Sequence, residues 1–272
     1  MEKKHLFSLR SLPIGKILLL FLLIYIALLA IPYIQHKNVS VSYQKKFAKQ
    51  SFYSDTAGTE RVAYINDNTD ALLYRLHMLD EAKDEIILST FDFNADKSGQ
   101  DMMASLLHAA DRGVSVRIYN PINLLKPWNL QARMHDKYVI VDQKMYLLGG
   151  RNTTNLFLGD YSRSKNIDRE LFVYETAEND SSSIRQLTDY FESVWALSDS
   201  KEYTCKKMTK KIQSCKAKLE NRYTSLKEKY PDAYSTWDYE ALTLQTNKVS
   251  LLSNPIKSEN KEPWMWYSLH QL

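Results

Sequence analysis

Cysteine is scarce in this chain: 272 residues contain two, Cys205 and Cys215. No C-x2-C pair exists, so a zinc site with the usual ligand spacing is not expected, and no motif calls for a cofactor. Ten residues along one helix cover about 15 Å, whereas bridged Cα atoms sit roughly 4.4–6.8 Å apart. A disulfide would need a turn between the two cysteines, and two free thiols are the simpler expectation. Seven glycines and seven prolines exclude a linker-rich or disordered chain. A net charge of only +4 excludes a global field that would attract polyanions.

Charge and apolar runs are both uneven. Residues 201–229 hold ten Lys/Arg against three Glu. Such a run suits the solvated face of a helix, with an anionic membrane or nucleic acid as the sharper alternative. Residues 17–34, ILLLFLLIYIALLAIPYI, carry no charge. Eighteen residues is near the lower limit for crossing a bilayer, and no A-x-A cleavage pattern follows, so the stretch reads as an uncleaved single-pass anchor. Lys3, Lys4, Arg10 and Lys16 precede it, and Lys37, Lys45, Lys46 and Lys49 follow. The charge rule is nearly tied; the short tail and large following domain favour that domain on the outer side of the cell membrane.

The expected organisation is a basic tail over 1–16, the anchor over 17–34 and a polar linker over 35–60. A domain over 61–200, a Lys-rich helical insertion over 201–248 and a tail over 249–272 follow. Within the domain, Leu72, Leu73, Leu76 and Leu79 recur at helical spacing over 70–82, and Met102, Met103, Leu106 and Leu107 do so over 101–110. Residues 85–93, 114–119, 137–142, 145–148 and 170–174 read as strands, and 184–197 as an amphipathic helix. Residues 203–229 read as one long helix or a pair, 249–252 as a strand and 262–272 as a helix opened by Pro263. The alternation predicts an α/β sandwich with a mixed β-sheet flanked by helices.

Residues 135–152 read HDKYVIVDQKMYLLGGRN, the pattern H-x-K-x4-D-x6-G-G-x-N. At typical residue frequencies a chance match comes roughly once in 10⁸ positions. On an extended strand His135 and Lys137 share one face. An imidazole is a nucleophile able to divide one displacement into two, and the neighbouring ammonium neutralises phosphate oxygens as charge redistributes. Asn152 offers amide donors to the same oxygens, and Gly149 and Gly150 permit close backbone approach. Asp142 completes the triplet, though its place at a turn suits pairing with backbone or a cation. A nucleophilic His works better with a carboxylate fixing its tautomer; Asp168, slightly preferred, and Glu170 are the candidates.

The motif resembles that of the phospholipase D superfamily, and within it the bacterial cardiolipin synthase-like proteins. Residues 86–118, 166–175 (NIDRELFVYE) and 190–195 (YFESVW) look like the same group. The resemblance implies a phospholipase D-like sandwich, with His135, Lys137 and Asp142 as the catalytic set and His135 as covalent nucleophile. It implies phosphate binding by Lys137, Asn152 and Gly150, and His orientation by Asp168 or Glu170. Members of this kind carry two such motifs in two pseudo-symmetric halves. Here there is one, and 249–272 looks like the connection into a second half. In relatives a longer segment also follows VRI; here Ile118 runs directly into Tyr119-Asn120-Pro121.

The implied function is a membrane-anchored phosphodiesterase or phosphatidyltransferase of the cardiolipin synthase type. Its expected partners are a phospholipid membrane and a second half, from another copy or encoded separately. The competing expectations are an inactive truncated remnant and, less favoured, a homodimeric nuclease; nucleic acid is not an expected partner.

Overall fold

The computed structural model describes residues 14–30, 37–119, 134–198, 200, 205, 207–256 and 262–272. Its centre is a seven-stranded mixed sheet in the order β3-β2-β4-β5-β6-β1-β7. The strands are β1 (Glu60–Ile65), β2 (Glu85–Ser89), β3 (Ser115–Tyr119), β4 (Lys137–Val141), β5 (Met145–Gly149), β6 (Glu170–Glu175) and β7 (Leu244–Gln245). β2 and β3 run parallel, joined by a helix, and every other pairing is antiparallel.

Helices α3 (Asn68–Glu81) and α4 (Lys97–Asp111) cover one face, and α5 (Ser183–Trp195) covers the other. Period-two alternation along β4 serves both layers. Val139 and Val141 join Leu72, Leu76 and Met102 on the first face, while Tyr138 and Ile140 join Leu187 and Phe191 on the second. Of the predicted stripe, Leu72, Leu76 and Leu79 are buried and each contributes about 1.5–3 kcal/mol, while Leu73 is half-buried. Asp67 caps α3 by accepting from the backbone N–H groups of Thr69 and Asp70. A Lys-rich helix, α6 (Lys210–Lys229), lies on α4 and buries only Tyr223 and Leu226.

Several expectations shift. The apolar run forms α1 (Ile14–Ala30), which has 17 residues. That is about 25 Å at 1.5 Å per residue, against a hydrocarbon core of about 30 Å. Among the described residues no helix is long and apolar enough to cross a membrane; residues 31–34 of the expected span lie outside them. The expected linker is structured, with α2 (Val41–Lys46) and a 3-10 turn (Lys49–Phe52). Residues 249–252 are not a strand; the edge of β1 is taken by β7, and Leu251 instead packs on the second core. The Lys-rich helix begins at Lys210, after residues only partly described. The expected shortening after Ile118 falls on 120–133, outside the described residues. Cys205 and Cys215 are free and exposed.

A short helix α7 (Tyr239–Leu242) precedes β7, and a last one, α8 (Trp264–Leu269), closes the chain. α8 docks on α2: the Tyr43 and Trp264 rings stack at 4.7 Å, and the Tyr43 hydroxyl lies 2.9 Å from Ser268 Oγ. The backbone N–H of Ser40 donates to Glu262 Oε2 at 2.8 Å.

Candidate active site

Antiparallel pairing brings the start of β4, the end of β5 and the start of β6 to one end of the sheet, since Lys137 pairs with Gly149 and Gly149 with Glu170. The segment leaving β2 joins them, because Ser89 pairs with Tyr138 and Phe93 bridges Thr153. His135, exposed just ahead of β4, and Lys137, buried at its first position, therefore stand beside Asn152 and Asp168.

The ammonium of Lys137 lies 3.0 Å from His135 Nδ1 and donates to the His135 carbonyl at 2.5 Å. Phe91 flanks both, its ring centroid 4.5 Å from the imidazole and 5.5 Å from Lys137 Nζ. Burial pushes the Lys137 pKa below the ordinary lysine range, and the charges of Asp136, Asp92 and Asp168 oppose that shift. An ammonium donating to Nδ1 leaves the ring proton on Nε2. Attack through Nε2 requires the other tautomer, with Nδ1–H turned toward a carboxylate.

Asp168 and Asp92 are the carboxylates at this end of the sheet whose charges reach Lys137. A Cβ placed on Gly150 would lie 2.0 Å from Asp168 Oδ2, so this glycine is required by the close approach of the acid. A Cβ on Gly149 would meet Arg169 O at 2.5 Å. Asp168 accepts from the Arg169 N–H at 2.6 Å, and among the described residues no hydrogen bond joins His135 to Asp168 or Glu170. The side-chain Oδ1 of Asn152 accepts from the Asp92 N–H at 3.1 Å, so the chemistry left to its NH₂ is donation.

Two predicted residues are placed elsewhere. Glu170 is fully buried and paired with Arg75 through both oxygens, at 2.8 and 2.5 Å, with Arg151 Nη1 at 3.4 Å from Oε2. It supports the floor of the site and does not face His135. Asp142, grouped with the catalytic set, sits at the opposite end of β4. Its carboxylate accepts the backbone N–H groups of Lys83, Asp84 and Glu85 at 2.8, 2.9 and 2.8 Å.

Sequence reasoning missed Phe91, Asp92, Arg75 and Arg151. Arg75 had a signal: it falls on the apolar stripe, three residues after Leu72 and four before Leu79. Arg151 lies inside the motif at its variable position; its Nε donates to Asn68 at 3.1 Å and an Nη to the Asn66 carbonyl at 2.8 Å. Asp136 points to the other face, where Tyr190 donates to it at 2.6 Å. Among the described residues no group of three His, Cys, Asp or Glu could hold a metal.

No family model matches the sequence. Two uncharacterized proteins of Helicobacter pylori, from strains 26695 and J99, are each 28% identical over 32% of this chain and 25% of their own length. The chain thus spans about a quarter of the curated relatives it matches. NucT from Helicobacter pylori is similar with a TM-score of 0.38 at 16% identity, over 49% of this chain and 94% of that one. Nuc from Salmonella typhimurium, a phospholipase D family member, gives 0.38 at 19% identity, over 54% and 98%. Phosphatidylserine synthase of Haemophilus influenzae gives 0.44 at 10% identity, over 69% and 48%.

Proposed function

We propose that this protein is a membrane-anchored phospholipase D-like phosphodiesterase or phosphatidyltransferase of the cardiolipin synthase type. The observation that carries the reading is the closure of the motif: Lys137 Nζ stands 3.0 Å from His135 Nδ1, at the sheet end that also holds Asn152 and Asp168.

In the first step His135 Nε2 attacks phosphorus, the P–O bond to the leaving alcohol breaks, and a phosphohistidine forms. For this the imidazole turns from the Lys137 ammonium so that its Nδ1–H donates to Asp168, which keeps its charge and supports the imidazolium character of the adduct. Lys137 and the Asn152 amide hold the nonbridging oxygens. The departing alkoxide needs a proton, which a second imidazole supplies. In the second step that imidazole deprotonates water or an acceptor alcohol, whose oxygen displaces His135. We place the second imidazole on another copy of this chain or on a separately encoded half.

α1 supports the lipid substrate. None of its residues is buried against protein, and Leu18, Phe21 and Ile26 are each more than half exposed. Such a surface calls for an apolar solvent, which a bilayer provides. We place α1 in the membrane, with the folded domain on its outer side.

The test is headgroup release or transfer from phosphatidylglycerol vesicles by the full chain. His135→Ala should abolish turnover while near-UV circular dichroism is unchanged. Turnover retained in that variant would remove the nucleophile assignment. A strictly monomeric wild-type chain that releases no headgroup would remove the proposal. Cleavage of DNA in EDTA, with no action on lipid, would replace it by a nuclease.

A further inference from the structure

A cavity of about 660 Å³ lies between α2, α5 and the C-terminal segment. Its apolar walls are formed by Tyr43, Phe47, Tyr190, Leu197, Leu251 and Ile256. One lysine, Lys46, and one carboxylate, Asp189, line it, so its formal charges cancel. That balance does not suit a phosphate or a nucleotide, whose negative charge would meet no net cation. The remaining polar lining consists of neutral hydroxyls and amides such as Ser193 and Asn254.

Two features give the occupant. The first is chain continuity. α2 forms a wall of the cavity, and Ser40 stands ten residues beyond Ala30, the last residue of α1. Ten residues reach at most about 36 Å, so the cavity lies within that distance of the apolar helix. The second is contact with the motif. Tyr190 lines the cavity and donates to Asp136, the residue between His135 and Lys137. A ligand in the cavity thus meets the catalytic segment on its α5 side, the face opposite His135 and Lys137, and must pass round the sheet end to reach them. At roughly 30 Å³ per methylene, about a water's share of liquid volume, a sixteen-carbon tail fills about 500 Å³.

We infer that this cavity holds one hydrocarbon tail of the phospholipid whose phosphate is presented to His135. The inference rests on the lipid reading above and adds a place for the tail. The tail lies against Phe47, Leu251 and Ile256, drawn from the bilayer that holds α1, while the headgroup remains at the sheet end.

The test uses the full chain in phosphatidylcholine nanodiscs containing a phosphatidylglycerol with a diazirine at one acyl terminus. After photolysis, peptides are mapped by mass spectrometry. Adducts should appear on residues 251–256 and on α5, in addition to α1. Ser193→Trp, which fills the cavity from α5, should lower the cavity adducts at least tenfold and leave those on α1 unchanged. Ser253→Trp repeats the block from the opposite wall, should either variant fold poorly. Adducts confined to α1, or undiminished in both folded variants, would overturn the inference. His135→Ala should label as the wild type does. Full cavity labelling without any headgroup turnover in the wild type would support the tail site and count against the phosphodiesterase. Turnover without cavity labelling would remove the tail site alone.

Discussion

Replacing Glu170 by Gln tests whether this acid serves the fold or the nucleophile. Its two oxygens receive Arg75 at 2.8 and 2.5 Å, and Arg151 stands 3.4 Å away. The side chains of Arg75, Glu170 and Arg151 are 3%, 0% and 0% exposed, so solvent does little screening. The cluster carries a formal charge of +1 in the native protein. The glutamine would raise it to +2 and turn an NH₂ group toward a guanidinium that can only donate. Breaking a buried ion pair from one side costs about 3–5 kcal/mol, because the partner is left charged and dry. For a domain of this size that corresponds to a fall in Tm on the order of 10 °C. The assay is thermal unfolding of the full chain in detergent, followed by near-UV circular dichroism. Arg75→Gln should cost less, since Arg151 still neutralises Glu170. A Glu170→Gln protein with unchanged Tm and lost turnover would refute the reasoning and restore Glu170 as the acid that orients His135.

Further outcomes follow from the same contacts. Gly150→Ala should displace Asp168 and lower kcat at least tenfold with little effect on Tm, read by steady-state kinetics; an unchanged kcat would separate Asp168 from the reaction. Burial lowers the Lys137 pKa, so its charge is a cost at neutral pH that is relieved as pH rises, while phosphate binding needs that charge. The alkaline limb of kcat/KM should therefore fall below the usual lysine range near ~10.4, and Lys137→Arg should move it upward. Glu60 and Glu175 face each other across β1 and β6, and burial raises both pKa values. Stability from their protonated forms is full below the ordinary carboxylate range and is lost as pH rises through the raised values. Glu175→Gln should then stabilise by about 1 kcal/mol at neutral pH and by nothing in acid, as urea unfolding at the two pH values would show.

Much of the fold was legible because its elements are periodic. Leu72, Leu76 and Leu79 of α3, Met102 and Leu106 of α4 and the hairpin of β4 and β5 match their expected places, within a few residues at the ends, whereas Met103 is exposed. Strand alternation set His135 and Lys137 on one side; the structure has His135 just ahead of β4, and the lysine reaches back to it at 3.0 Å. The place of Glu170 was not legible. On spacing it shares a face with Asp168, but spacing does not report that Arg75 and Arg151 converge from α3 and from the motif. The strand expected over 249–252 failed for a related reason. An apolar run can be buried without pairing, and Leu251 packs on the second core from an irregular segment.

Asp142 gives the motif a second meaning. Its carboxylate holds three consecutive backbone N–H groups where α3 passes into β2, and its own N–H donates to Glu85 at 3.0 Å. The four residues between Lys137 and Asp142 are the rest of β4, so the lysine and the aspartate mark opposite margins of the sheet, about 17 Å apart. The x4 interval is thus a ruler. A one-residue insertion within it would leave Asp142 latched and turn the imidazole to the α5 side, exchanging its place with Asp136. Every letter of the triplet would survive such a change, and the nucleophile would face the wrong layer.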